Sequence, residues 1–210
     1  MNRNWAGRFW QMLRRTSRLS SARPSGSDEA LRLLNAGCWR CVKCEQDHGW
    51  PFDLAARAPD HWPHPTLYSP NNALSLDGDF LSEDFCVLGG EHFFVRSVLS
   101  IPVRGLDDAF GFGCWSTLSR KNFESYIAQF DGAQPCQTEM WHGWLCNGLA
   151  DLMGTEPVAV WVQLQPDRQR PKLWIQNDHH PMAIAQDEGI TPQQMVAIMR
   201  HYGHDPGTLA

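Results

Sequence analysis

Long apolar runs are missing from this 210-residue chain, and none approaches the roughly 20 residues that a membrane-spanning helix needs. Acids are missing from the first 26 residues, which carry Arg3, Arg8, Arg14, Arg15, Arg18 and Arg23. Those arginines break up any continuous apolar stretch, which argues against a secretory signal. The Arg- and Ser-rich composition fits an organellar presequence or, more plainly, a flexible basic arm spanning residues 1–26. Cations are scarce from Ser27 onward, where 12 Lys and Arg face 23 Asp and Glu, a balance of −11. Such a body is a poor match for phosphate backbones, so the arm alone is left to engage nucleic acid or anionic lipid. Also absent are G-x-S-x-G, G-x-x-x-x-G-K-S/T, H-E-x-x-H and an EF-hand loop. Gly111-Phe112-Gly113 echoes part of G-x-G-x-x-G, but inside a strand-like run and without the third glycine. Seven cysteines, an odd count, do not make a secreted disulfide framework; a reducing cytoplasm is the expected compartment.

What is present reads as an α+β domain over residues 27–210. Ser21–Ser27 is a Pro/Gly/Ser linker, and Ser27 can cap a short helix with Leu31 and Leu34 on its apolar face, stopped by Gly37. Pro51, Pro59, Pro63, Pro65 and Pro70 make the following segment irregular, wrapped over the core by Trp50, Phe52 and Trp62. Phe93, Val95, Leu99, Ile101 and Val103 then recur at period two, and Phe110 to Leu118 forms the return strand of an antiparallel hairpin. Gly111 and Gly113 in that strand point to a bulge or a close backbone approach. Ser119 caps a helix whose Phe123, Tyr126, Ile127 and Phe130 share one stripe, ended by Asp131-Gly132. Residues 133–156 read as irregular, with an aromatic knot around Trp141 to Trp144. A second hairpin places Val158, Val160, Val162 and Leu164 on one face and returns through Leu173 and Ile175. Thr191 and Gln194 form a capping box for a last helix, with Pro192 at its first position and Gly203 past its end. The expected architecture is an antiparallel sheet built from two hairpins, packed by three helices and preceded by a cysteine knuckle.

The knuckle is Cys38-Trp-Arg-Cys41-Val-Lys-Cys44-Glu-Gln-Asp-His48. Two cysteines separated by two residues can turn both sulfurs toward one Zn²⁺, and an imidazole four residues on can join them. Cys41, Cys44 and His48 are therefore candidate zinc ligands. Cys86 is the candidate fourth, with Cys38, His61 and His64 as alternatives; a cluster of reduced thiols is the competing reading. Asp178-His179-His180-Pro181 is either an acid–base or metal site or a turn whose histidines bond to backbone, and adjacent strand residues face opposite sides. Arg96, among apolar strand residues, can clamp a carboxylate or phosphate, or can pair with Glu91 or Glu83 on a solvated face. His142, between Trp141 and Trp144, reads as a packed core histidine.

A longer pattern runs through Leu81, Ser82, Asp84, Cys86 and Val87, then Phe93-Phe94-Val95-Arg96, Ile101-Pro102-Val103, Phe110-Gly111-x-Gly113-x-Trp115, Leu118-Ser119 and Asn122-Phe123. With Cys41-x-x-Cys44, His48, Gly143-Trp144-Leu145, Arg170-Pro171, His180-Pro181, Ala183, Gln186 and Gly189-Ile190, it resembles the bacterial family called domain of unknown function 2199 over about residues 41–190. The family has Gly where this chain has Glu45, and Asp where it has His179. The resemblance implies domain limits and supplies no substrate. Two functions are in view. One is a non-catalytic binding or interaction module with a structural zinc knuckle, its protein or small-molecule partner met by aromatics of the loop from His48 to Tyr68. The other is a metal-dependent hydrolase with a site between the knuckle and Asp178 or His180.

Overall fold

The computed structural model describes residues 26–130, 140–152 and 157–207. The basic arm, the Asp131-Gly132 helix stop and Cys136 lie outside the described residues. In chain order come α1 (Gly26–Asn35), β1 (Cys38–Arg40), β2 (Asp47–Gly49), β3 (Asp53–Ala55), β4 (Phe80–Leu81), β5 (Phe85–Leu88), β6 (His92–Pro102) and β7 (Ala109–Leu118). They are followed by α2 (Arg120–Phe130), β8 (Met140–Trp144), β9 (Ala159–Gln163), β10 (Lys172–Ile175), α3 (Pro181–Glu188) and α4 (Pro192–His201). No helix among the described residues is long and apolar enough to cross a membrane.

The long hairpin is the spine. β6 and β7 pair antiparallel from Phe93↔Leu118 to Pro102↔Ala109 without interruption, as period-two apolar runs joined by a short turn dictate. Val95, Leu99, Ile101, Phe110 and Cys114 are all fully buried on one face. Truncating a side chain such as Phe110 there costs about 3–5 kcal/mol, because the removed ring leaves a cavity. Phe123 and Tyr126 of α2 lie over Phe85 and Phe93, with edge-on contacts at ring separations of 5.9 Å for both Phe85 pairs and a tilted one at 5.2 Å for Phe93.

The eight-stranded sheet runs β3-β7-β6-β10-β9-β8, with β5 and β4 added beside the first half of β6. The fold is α+β as expected, but the sheet is mixed. The two hairpins join through a parallel contact at Lys172↔Val98, and β3 runs parallel to β7. Several elements depart from the sequence reading, among them the short strands β1, β2, β4 and β5, which it does not assign. β3 forms inside the proline-rich segment, between Pro51 and Pro59, where its edge backbone meets the bare surface of Gly111 and Gly113. Gly111 N–H donates to Asp53 Oδ1 at 2.8 Å, and a Cβ on Gly111 would collide with that carboxylate; close approach, with no bulge, is what the glycines serve. β8 replaces the irregular aromatic knot, and α3 adds a fourth α-helix among the described residues. Near the start, α1 begins at Gly26, so Ser27 lies within the helix.

The sheet curls until β8 returns to β7 through a Ser116↔Leu145 bridge, with Trp144 N–H donating to Thr117 Oγ1 at 2.9 Å. Gly143 permits this, since a Cβ there would run into Thr117 O. The opposite face of the β6–β7 hairpin carries a second, smaller core of Leu81, Cys86, Phe94, Trp115 and Cys146, against which Trp62 and Tyr68 of the proline-rich loop pack. Asn147 pins that loop by accepting from Trp115 N–H at 2.8 Å and donating to Ala58 O and Asp60 Oδ1 at 2.9 and 2.8 Å. The loop's Trp62 and Tyr68 therefore pack inward and do not form the expected contact surface; among the described residues the exposed tryptophans are Trp144 and Trp161.

Candidate metal centre

β1 and β2 form a short antiparallel hairpin in which Cys38 faces Gly49 and Arg40 faces Asp47. Its connection is the knuckle. Cys41 N–H donates to Gln46 O at 2.8 Å and Glu45 N–H to Cys41 O at 3.1 Å, folding the chain back so that Cys41, Cys44 and His48 converge. Glu45 sits at φ 56, a left-handed conformation that glycine adopts freely and other residues at a cost of about 1–2 kcal/mol. The family pattern's glycine at this position thus has a backbone reason.

The fourth member of the group is His204. One ligand atom from each of Cys41, Cys44, His48 and His204 lies within 4.8 Å of the other three. Cys44 Sγ is 3.1 Å from His48 Nε2 and 3.8 Å from His204 Nδ1. His204 arrives because α4 ends at Gly203 (φ 83), and the tail then bonds to the knuckle, with Val42 N–H donating to Asp205 O at 2.9 Å. Phe52 fixes both imidazoles edge-on at 5.4 and 5.3 Å, and the two rings meet each other at 4.9 Å.

Electrostatics suit a cation. Burial pushes the Cys41 thiol up, but the backbone N–H groups of Cys44, Asp205 and Lys43 outweigh it and bring the group down to about 7. Two of those donors are 3.4 and 3.2 Å from Sγ, and such bonds favour the thiolate that a metal requires. His204 is held below its usual value by burial and then by His48, which keeps its lone pair available. Two thiolates and two imidazoles are a donor set for a tetrahedral ion, so the cluster could hold a metal.

The other candidates lie elsewhere. Cys86 is fully buried beside Trp115 and Cys146 in the second core, where burial first, and then Asp79 and Cys146, push its thiol up to about 12. It is outside the ligand group. Cys38 is exposed at the start of β1, His61 is likewise outside the group, and His64 Nε2 lies 2.6 Å from Asp79 Oδ2. His180 is the cap of α3: its Nδ1 accepts from Met182 N–H at 3.1 Å, with Pro181 opening the helix. That is the backbone-bonding alternative for the histidine pair, realised as a helix cap. His142 is exposed, edge-on to Trp144 and Trp161 at 5.5 and 6.2 Å, so it is no core residue.

Sequence reasoning missed His204. Its partner Cys44 is 160 residues away, and the available cue was a histidine placed just past a helix-stopping glycine. Residues 40–190 match the model of a family described as an uncharacterized protein conserved in bacteria (DUF2199). No curated protein and no solved structure matches the chain.

Proposed function

The chain belongs to the bacterial DUF2199 family, and from that premise we propose that it is a non-catalytic binding or interaction module whose Cys41, Cys44, His48 and His204 hold a structural zinc ion. The observation that carries this reading is the closed donor set. Four ligand atoms lie within 4.8 Å of one another, the number that a structural zinc takes, whereas a catalytic zinc keeps three and leaves the fourth position to water. The site also has a mechanical logic, because it clasps the knuckle to the tail beyond α4, and α1 packs on α4 beside it. An ion there fixes the two ends of the described chain against each other and supplies stability that the small hairpin of β1 and β2 lacks.

Elemental analysis of the purified full-length chain tests the reading. One zinc per chain is expected in the wild type, with loss in Cys41→Ser, Cys44→Ser and His204→Ala. A wild-type protein prepared without chelator that carries no stoichiometric metal would remove the proposal. Retention of zinc by His204→Ala, together with hydrolytic turnover of an activated ester, would replace it with an open, catalytic site.

A further inference from the structure

Arg96 is not on a solvated face. It is 8% exposed, with its guanidinium 6.0 Å from the centre of the Trp115 ring. Neither Glu91 nor Glu83 pairs with it through a carboxylate. Among the described residues its one side-chain hydrogen bond runs from Nη1 to the backbone oxygen of Glu83 at 3.3 Å, while Nε is buried without a partner. Burying an unpaired cation is costly, since the desolvation of the charge is returned neither by a counter-charge nor by a full set of acceptors. An aromatic face offsets only part of this.

The surroundings are built around the turn that presents Glu83 O. Ser82 Oγ accepts from Phe85 N–H at 3.0 Å and shapes that turn. Asp84 O accepts from Arg96 N–H at 3.0 Å. The Asp84 carboxylate is already taken, by Arg170 Nε at 3.1 Å and by Asn71 Nδ2 at 2.9 Å, which leaves the second arginine neutralised and the first uncompensated. Asn71, on the neighbouring turn Asn71–Ala73, reaches this one only through its Nδ2 bond to Asp84. Counting only the paired groups, two arginines and the Asp84 carboxylate leave about one positive unit, which a monoanion balances; the exposed Glu83 carboxylate is paired with neither arginine. A planar carboxylate matches the fork geometry of a guanidinium; a phosphate dianion would meet Asp84 and an acidic body, which repel it.

We propose that Arg96 is the anchor of a binding site for a small organic carboxylate, framed by the Glu83–Asp84 turn and bordered by Asn71 and Arg170. The site is independent of the metal clasp and stands or falls without it. On this account the unpaired guanidinium is kept because the ligand, not the chain, supplies its counter-charge.

The test is a titration of the purified full-length chain with sodium acetate, followed by the arginine Nε–H resonances in ¹H–¹⁵N spectra. Sodium chloride and inorganic phosphate at matched ionic strength are the parallel arms. The expected result is a saturable shift of the Arg96 Nε–H with acetate and not with chloride or phosphate. Arg96→Lys should weaken acetate binding at least about tenfold, because an ammonium cannot reproduce the bidentate pair. Arg170→Gln, at a partly exposed position, should weaken it by about threefold through loss of long-range attraction, and it keeps the test open if Arg96→Lys does not fold. An acetate response no different from that of chloride, saturable binding of phosphate in place of acetate, or unchanged acetate binding in Arg170→Gln and Arg96→Lys would overturn the proposal.

Discussion

Cys41 and Cys86 are both buried thiols, 1% and 0% exposed, yet their chemistry is pushed in opposite directions. Around Cys41, backbone N–H groups of the knuckle and the tail point at the sulfur and bring it down to about 7 against the effect of burial. Around Cys86, burial, then Asp79 and Cys146, raise it to about 12. Cys146 is raised to about 12 in the same core, by burial ahead of its other influences. Burial does not distinguish a ligand from a packing residue. What distinguishes them is the set of backbone donors that faces the sulfur, three at the Cys41 turn and none among the influences on Cys86 in its strand.

Substitution at Cys41 should give the largest effect. Cys41→Ser is expected to abolish stoichiometric metal binding and to lower the thermal midpoint by on the order of 10 °C. A clasp across most of the chain restricts the unfolded state by roughly 5 kcal/mol on the chain-entropy account, and each kcal/mol moves the midpoint of a domain this size by about 2–4 °C. Calorimetry with and without chelator reads both. Cys86→Ser should do the reverse, keeping the metal while losing about 1–3 kcal/mol in urea unfolding, since a hydroxyl is placed in an apolar core. Metal loss in Cys86→Ser would break the contrast.

The same contrast extends to imidazoles. His204 faces the thiols, while burial holds His180 below its usual value, with its Nδ1 as a helix cap. Protonation of Nδ1 removes the acceptor, so the folded state prefers the neutral ring. The contribution of His180 is complete above the unfolded histidine value and declines as the pH falls below it toward the lowered folded value. His180→Ala should cost about 1 kcal/mol at neutral pH, as loss of a cap does, and should flatten the acid limb of a stability-versus-pH curve, measured by urea titration between pH 7 and 5. A variant with an unchanged acid limb would assign that limb to other groups. Glu45→Gly should have the smallest effect, a gain of up to about 1 kcal/mol from relief of the left-handed backbone at the knuckle, read as a higher urea midpoint in chelated protein.

Features written in local spacing were legible in the sequence. The capping box of Thr191 and Gln194 is present in full, Ser119 accepts from Asn122 N–H at 3.2 Å at the start of α2, and the β6–β7 register follows the period-two pattern. The misses share a physical cause, which is dependence on distant partners. β3 is three residues long among prolines and exists because the glycine face of β7 receives it. The apolar positions of α3 are small or irregularly spaced, so its helical period is faint, and Pro181 reads equally as a turn. His204 belongs to the knuckle by tertiary approach, which no spacing within residues 38–48 encodes. Cys86, the candidate fourth ligand, opens the family-like stretch, but strand pairing with Phe94 directs it into the core beneath the loop.

The proposed clasp joins Cys41, Cys44 and His48 to His204 through two sulfurs and two imidazoles. X-ray absorption at the zinc edge of the purified protein tests it most directly, comparing wild type with His204→Ala. The expected result is two sulfurs at about 2.3 Å and two nitrogens at about 2.0 Å around the zinc, with one imidazole lost in the variant. A shell with three sulfurs, or one that His204→Ala leaves unchanged, would contradict it.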